Sequence, residues 1–286
     1  ILYFFYYCIF LKKTFILIKL LKIIYKEQIV KNEIEKLSDK LVKAFLENKI
    51  IAPLPLKYTR KLVDAEKIRK LCESKISDPI VGFKAAGTGI PVMKKLKEKN
   101  PFYASIFKKN LIKSGQKVKI NKSTLGIELE VCYLIKKKFF LSNSSITLKN
   151  ITRYISHMAP CIEIVGYRQR KKGIKSFGDL CSDFGANVKF LIGRKKRYKK
   201  INIDNLKTNI SNKKNNQSVD GNTNTVFINP LNALRFVLNK LKKDKIDLNK
   251  DFYVFTGSTV GVVPILGKGL YTGKIKSLGT AKAMIY

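Results

Sequence analysis

The run from Gly126 to Ile135 constrains the fold more than any other part of the sequence. In a β-strand, alternate side chains point to opposite faces, so Glu128 and Glu130 would share one face, about 7 Å apart along the strand. The intervening residues form a purely apolar face that requires a core: Ile127, Leu129 and Val131. The sequence therefore predicts a strand that is buried on at least one side.

The glutamate-bearing face of this strand is unusual for a face in contact with water, because it continues with Cys132 and Leu134. Acidic residues are also scarce, with 20 Asp and Glu against 58 Lys and Arg. An isolated Glu-x-Glu pair is most often a solvated strand face, and the spacing alone leaves that alternative open. A functional site is the second interpretation.

A third glutamate, Glu163, also has mainly apolar neighbours. It lies between Ile162 and Ile164, and Cys161 and Val165 would share its strand face. A carboxylate among apolar neighbours needs a cation or hydrogen-bond donors to stay ionised. Three such carboxylates form an oxygen-rich set that suits Mg²⁺ or Mn²⁺ rather than Zn²⁺.

Helical patterns precede this β-like region. Apolar residues at three- and four-residue spacing predict one helix over 30–48 and another over 58–73, and Asn229 with Pro230 marks the start of a third. Between them lie short apolar segments bounded by turn residues, which predict strands: Ile80–Lys84, Leu125–Ile135, Cys161–Val165, Val188–Ile192 and Phe252–Thr256. Helices followed by a β-rich body indicate an α+β fold.

The predicted organisation has three parts. Residues 1–28 form an apolar, lysine-interrupted leader, 29–78 a helical region, and 79–286 the β-rich body. The leader is too short and too interrupted for a firm membrane span, and a secretory signal would place its charge first. A translated leader or a weak amphipathic anchor fits better, so it is excluded from the predicted fold. Within the body, 194–224 is Lys/Asn-rich and is predicted to be a mobile surface segment.

The formal charge of +38 first suggests a polyanionic partner. However, all but eight of the 58 basic residues are lysine, spread along the whole chain, and Ile and Asn are abundant, which is typical of a composition biased by an A/T-rich genome. No nucleic-acid-binding motif accompanies the charge. We therefore expect no specific nucleic-acid partner, although the positive field favours capture of small anions.

The five cysteines are widely spaced and include no Cys-x-x-Cys pair, so neither a zinc site nor a disulfide framework is indicated. A reducing, cytoplasmic location is the expectation.

Six blocks of sequence occur in an order and spacing that resemble one family. They are Gly82-Phe83-Lys84 with Gly87 and Gly89, Pro101-Phe102-Tyr103, Gly126–Glu130, Pro160–Arg168, Asp183–Asn187, and Thr256-Gly257-Ser258. Together they resemble the 2-oxopent-4-enoate hydratase / 4-oxalocrotonate decarboxylase branch of the fumarylacetoacetate hydrolase superfamily, over about residues 30–286. The resemblance implies a mixed β-sheet, barrel-like body preceded by helices and assembled into homo-oligomers.

The resemblance also implies site residues. Glu128, Glu130 and Glu163 match the family's ligands for a divalent metal, Mg²⁺ or Mn²⁺, and Lys84 matches a lysine that does acid–base work and contacts substrate. Three further residues are candidates for binding a substrate carboxylate, each with an ordinary structural alternative: Arg168, which can instead neutralise Asp183, and Thr256 and Ser258, which can simply form a turn.

The expected activity is hydration of a small 2-oxo acid of the 2-oxopent-4-enoate type. The chain departs from the family pattern at Phe102, where hydratases often carry an aspartate that transfers protons. Two alternatives within the superfamily are decarboxylation of a 2-oxo diacid and C–C hydrolysis of an acylpyruvate. An alternative of another class is a non-catalytic, lysine-rich protein that binds nucleic acid or a membrane surface.

Overall fold

Helices form the start of the chain, before the first strand. The computed structural model describes residues 2–169 and 173–286, with side chains from Thr14 onward. The α-helices in these ranges are α1 (Leu2–Glu47), α2 (Leu56–Thr59), α3 (Leu62–Ser74), α4 (Ile90–Lys95), α5 (Phe177–Ser182) and α6 (Pro230–Lys243). As predicted, the Asn229 side chain caps α6 by accepting a hydrogen bond from the Asn232 N–H.

The β-rich body contains the five strands predicted from sequence and eight others. The strands are β1 (Ile80–Ala86), β2 (Phe102–Phe107), β3 (Leu111–Lys113), β4 (Lys117–Val118), β5 (Thr124–Ile135), β6 (Ile155–Gly166), β7 (Asn187–Ile192), β8 (Lys196–Arg197), β9 (Lys207–Asn212), β10 (Gln217–Asn222), β11 (Phe252–Ser258), β12 (Gly269–Ile275) and β13 (Gly279–Ile285). The predicted α+β class is confirmed.

Two mixed sheets make up this body. The larger has the strand order β2-β1-β11-β5-β6-β7-β3, with β8 also pairing with β6, and the smaller has the order β10-β9-β12-β13-β4. Most neighbours are antiparallel, but β1 pairs with β11, β3 with β7 and β13 with β4 in parallel. Long strands β5 and β6 lie in the middle of the larger sheet and carry the predicted acidic residues.

The two sheets pack face to face around one large core. The apolar face of β5, with Ile127, Leu129 and Val131 fully buried, contributes to the same cluster as the inward residues of β12 and β13. Helix α6 adds its apolar stripe to that core. This packing accounts for the alternation of β5 from Ile127 onward, since the odd-numbered residues there face the second sheet.

Helix α1 is longer than the sequence pattern predicted. It continues without interruption from Leu2 to Glu47, so the expected boundary at residue 28 is not a break in secondary structure. Side chains 14–30 are exposed, and packing begins near Ile34, where α1 contributes to a second core with α3.

The helix expected over 58–73 is divided into α2 and α3, because Lys61 has an extended backbone. Within the described residues, no helix is long and apolar enough to cross a membrane.

The segment 194–224 differs from the prediction of a mobile surface stretch. It contains β8 and the hairpin β9–β10, and β9 is an inner strand of the smaller sheet. Apolar residues are few here, but alternate side chains of β9 (Thr208, Ile210 and Asn212) are buried, and backbone pairing with β10 and β12 supplies the order. Composition failed as a guide because backbone hydrogen bonding does not depend on hydrophobic side chains.

Gly82 allows the close pairing of β1 with β11 that positions Lys84. A Cβ at this position would lie 2.5 Å from the backbone oxygen of Tyr253. We expect Gly82→Ala to lower the free energy of unfolding by about 1–3 kcal/mol, measured by urea denaturation. Gly89→Ala is the matched control, because its nearest neighbour would be a Val92 methyl at 3.8 Å. An equal loss in both variants would contradict this explanation.

Candidate metal centre

Three carboxylates, two of them fully buried, meet on one face of the larger sheet. Glu128 on β5 is directly opposite Glu163 on the antiparallel strand β6, and Glu130 follows two residues along β5 on the same face. One oxygen from each of the three carboxyl groups lies within 4.8 Å of the others. Strand alternation and this register therefore bring together residues that are more than 30 positions apart in sequence.

Lys84 reaches the same cluster from β1, which is three strands away from β6 in the sheet. Three strand spacings of about 4.8 Å would separate the two backbones by roughly 14 Å on a flat sheet, too far for these side chains to meet. The Lys84 Nζ nevertheless lies 2.5 Å from Glu163 Oε1 and also donates to the Gly185 carbonyl at 3.1 Å. The sheet must therefore curl, as in a half-barrel.

The carboxylates lie beside an apolar cluster formed by Ile106, Cys132, Cys161, Phe190 and Phe255. Glu130 and Glu163 are fully buried, and Glu128 is partly open. Burial raises the pKa of Glu128 to about 7 and raises the pKa of Glu130 and of Glu163 as well, although the Lys84 ammonium opposes this effect. The cluster therefore holds protons far more tightly than exposed glutamates do.

Burial lowers the pKa of Lys84, but the neighbouring carboxylates, Glu163 above all, outweigh it and the net shift is upward. The pKa of Lys84 rises because a lysine beside three carboxylates is stabilised in its charged form.

The Gly257 backbone orients one glutamate of the cluster. Its N–H donates to Glu130 Oε2 at 2.9 Å. Gly257 has a φ of 100°, and a Cβ there would lie 1.8 Å from the Thr88 hydroxyl, so only glycine fits. Within the Thr256-Gly257-Ser258 block, it is thus the backbone N–H of Gly257 that contacts the cluster.

Two buried oxygens of the cluster have no hydrogen-bond donor among the described residues: Glu130 Oε1 and Glu163 Oε2. Buried acceptors without a donor are costly. Either a proton shared between the two carboxyls or a cation can satisfy them. An all-carboxylate set with unsatisfied oxygens has the donor chemistry that Mg²⁺ and Mn²⁺ prefer.

Arg168 does not reach this cluster. Its guanidinium donates to Asp183 Oδ1 at 2.9 Å and to the Asn187 carbonyl at 2.7 Å, and the side chain is 1 % exposed. The guanidinium is therefore engaged as in the structural alternative, neutralisation of Asp183, and the assignment of Arg168 to substrate binding stays a prediction. The pair supports the turn that presents the Gly185 carbonyl to Lys84.

The two hydroxyl candidates on β11 have different positions. The Thr256 hydroxyl donates to the Val131 carbonyl at 2.9 Å and is fully buried, and its assignment to substrate binding stays a prediction. Ser258 lines the cavity described next, where its hydroxyl donates to the Gly261 carbonyl at 2.8 Å.

A cavity of about 940 Å³ gives access to the cluster, and Lys84, Glu128 and Glu130 line it. Its walls come from the loop before α4, from α4 itself, from residues 257–262 and from part of segment 220–225. Most of the remaining lining is apolar, including Ile90, Leu96, Leu125, Val165, Leu180 and Val262.

Several residues at this cavity were missed by sequence reasoning: Thr88, Lys95, Asp220 and Asn224. Thr88 lies between two glycines of a quoted block, which was a usable signal. Asp220 and Asn224 belong to the segment assigned as mobile, and no local pattern distinguishes them from surface residues.

The raised pKa values predict how stability depends on pH when metal is removed. Because folding raises these pKa values, the cluster adds stability below about pH 4.5 and loses it as the pH rises through about 7, the folded pKa of Glu128. In EDTA, we expect the melting temperature to fall over this range. Glu128→Gln should flatten the fall and raise the melting temperature at pH 8, since a neutral amide removes the buried charge.

The control for this measurement is Glu27→Gln, a change at an exposed glutamate of α1. A pH profile that Glu128→Gln leaves unchanged would show that Glu128 does not contribute to this dependence.

The fold matches those of solved enzymes. 4-Oxalocrotonate decarboxylase from Pseudomonas putida G7, complexed with magnesium and adipate, superposes with a TM-score of 0.78 at 19% identity, over 90% of this chain and 98% of that one. Fumarylpyruvate hydrolase from Pseudomonas aeruginosa, in complex with Mn²⁺ and pyruvate, gives a TM-score of 0.53 at 13% identity, over 74% and 91%.

A third match is a 5-carboxymethyl-2-hydroxymuconate delta-isomerase from Mycobacterium smegmatis, with a TM-score of 0.52 at 13% identity, over 73% of this chain and 80% of that one. No protein-family model matches the sequence, and no curated protein matches it significantly. At sequence identities of 13% to 19%, these matches show similarity of fold alone. The chain has the fold of the fumarylacetoacetate hydrolase superfamily, which supports the resemblance drawn from its sequence blocks.

Proposed function

We propose that this chain is a divalent-metal-dependent enzyme of the fumarylacetoacetate hydrolase superfamily that acts on a 2-oxo acid through an enolate, with hydration of a 2-oxopent-4-enoate-type substrate as its reaction. The observation that carries the proposal is the cluster of Glu128, Glu130 and Glu163 beside Lys84 at a deep cavity. Structural neighbours with this fold are a decarboxylase, a hydrolase and isomerases that act on related acids.

Glu128, Glu130 and Glu163 would hold the metal, Mg²⁺ or Mn²⁺. Two neighbours support this proposal, since one was solved with magnesium and another with Mn²⁺. A cation bound there would act as a Lewis acid on a chelated 2-oxo carboxylate. The protein supplies the ligand charge, the Gly257 N–H that orients Glu130, and an apolar surround that strengthens the electrostatic interactions.

Lys84 would hold and transfer the proton during tautomerisation of the substrate. Its Nζ lines the cavity, and its contacts with Glu163 and the Gly185 carbonyl fix its position. In the net reaction, one water adds its hydroxyl and its proton across the conjugated C=C to give a 4-hydroxy-2-oxo acid. Ser258 remains a candidate for contact with the substrate because it lines the same cavity.

The cavity lining favours a monoacid over a diacid. Among the described residues, its cationic side chains are Lys84, which pairs with Glu163, and the exposed Lys95. A second carboxylate would therefore depend on Lys95, whereas a short apolar chain suits the apolar walls. This is why we place hydration ahead of decarboxylation of a 2-oxo diacid.

Phe102 is the feature least typical of a hydratase. It is fully buried and packs edge-to-face on Phe177, with ring centroids 5.9 Å apart, and cannot relay protons. If the chain hydrates its substrate, proton transfer must come from Lys84 or from water.

Decarboxylation and acylpyruvate hydrolysis remain the alternatives within the superfamily. Homo-oligomeric assembly and a cytoplasmic location remain predictions.

Metal binding is tested by thermal shift with Mg²⁺ or Mn²⁺, with and without oxalate as an enolate mimic. A ligand present at a hundred times its dissociation constant stabilises a protein by about 2.7 kcal/mol, which raises the melting temperature measurably. We expect a shift in the parent protein and in Glu27→Gln, and neither a shift nor metal-dependent turnover in Glu130→Gln. No shift in the parent, together with strongly salt-dependent DNA binding, would favour the non-catalytic alternative.

Substrate class is tested by comparing a 2-oxo monoacid with a 2-oxo diacid of similar length. We expect kcat/KM to favour the monoacid by roughly tenfold, and Lys95→Gln to lower only the diacid value, because no other described free cation lines the cavity. Lys97→Gln, at an exposed lysine just after α4, is the control. A diacid preference that survives Lys95→Gln would instead favour the decarboxylase.

A further inference from the structure

The segment from Phe15 to Lys26 of α1, here called the apolar helix segment, exposes an unusual surface. Its apolar side chains are between 45% and 71% exposed: Phe15, Ile16, Leu17, Ile18, Leu20, Leu21, Ile23, Ile24 and Tyr25. Packing into the protein core begins near Ile34, and before it Ile23 and Lys26 line a groove together with Leu71 of α3. An exposed apolar patch of this extent marks an interaction surface.

The charges of this segment are all of one sign and on one side. Lys19, Lys22 and Lys26 follow one another at three- and four-residue spacing, so they share one stripe of the helix. The opposite stripe contains Leu17, Leu21 and Ile24. No acidic residue occurs in the segment, although the rest of α1 has several.

We propose that the apolar helix segment binds the surface of an anionic lipid bilayer, with its apolar arc inserted and its lysine stripe among the headgroups. The arc opposite the lysine stripe contains Leu17, Leu21 and Ile24, whose side chains are between 56% and 60% exposed. Interfacial helices combine such an arc with lysines that extend toward the lipid phosphates.

Charge also distinguishes a bilayer from a second copy of the chain. At this segment, a second copy would bring an identical lysine stripe, which opposes pairing of two copies through the segment. An anionic leaflet instead attracts each lysine near its surface. The proposal does not depend on the catalytic assignment, since the segment shares no residue with the carboxylate cluster or its cavity.

The test is sedimentation of the full chain with phosphatidylcholine vesicles, with and without phosphatidylglycerol as a minority anionic lipid. We expect binding to the anionic vesicles only. Leu17→Gln/Leu21→Gln/Ile24→Gln should weaken it by roughly tenfold or more without changing net charge. Lys19→Gln/Lys22→Gln/Lys26→Gln should weaken binding by about 100-fold, since each of the three lysines contributes a similar share of the binding free energy at the anionic surface.

Two matched triple variants control for general effects of charge and hydrophobicity. Leu141→Gln/Leu148→Gln/Leu266→Gln removes exposed leucines elsewhere, and Lys207→Gln/Lys213→Gln/Lys214→Gln removes exposed lysines elsewhere. Both should bind within about twofold of the parent. Unchanged binding by the Leu17 triple variant, or an equal loss in the controls, would overturn the proposal.

Sedimentation equilibrium without lipid tests the competing occupant. The parent and the Leu17 triple variant should have the same mass. A lower mass for that variant would mean that the segment pairs with a second copy, and the membrane proposal would then be wrong.

Discussion

The buried contact between the Lys84 ammonium and Glu163 is the interaction on which the site depends. The pair forms beside an apolar cluster, next to two further carboxylates, and both partners are almost entirely excluded from water. Removing either partner would leave an uncompensated buried charge, which is far more costly than leaving the pair intact. One ammonium nevertheless cannot balance three carboxylates. The remaining negative charge is what makes a divalent cation the natural complement of this site.

The curvature and packing of the two sheets bring Lys84 and Glu163 into contact. Lys84 and Glu163 lie three strands apart, so they meet only because the larger sheet curls, and the second sheet fills the opposite face with apolar side chains. Strand β5 shows both requirements in one element, since its odd-numbered residues from Ile127 onward belong to the core and Glu128 and Glu130 belong to the site. A change in strand register by one residue would exchange these two faces.

The strong positive charge of the chain is largely separate from the chemistry of the site. The cavity itself is mainly apolar, and of the two cationic residues that line it in the described parts of the chain, Lys84 is already paired with Glu163. Lysines instead cover the outer surface and the stripe on α1. Diffuse positive charge can therefore favour the approach of small anions without defining where they bind.

Much of the site could be predicted from the sequence, because alternation within one strand is a local property. The shared face of Glu128 and Glu130, the apolar face behind it and the Asn229 cap all follow from neighbouring residues. The family resemblance indicated Lys84 and Glu163 as site residues. Their contact could not be derived from the sequence, because it depends on sheet curvature.

The tertiary structure decided the remaining features, and each depends on groups distant in sequence. Arg168 was equally suited to a substrate carboxylate or to Asp183, and the fold placed Asp183 within hydrogen-bonding distance. Segment 194–224 became part of a sheet because β12 offered it a backbone partner. The sequence by itself determined which residues carry charge and which faces are apolar, since these depend on local pattern. Only the tertiary structure determined which of these groups meet, because strand pairing and curvature are properties of the whole chain.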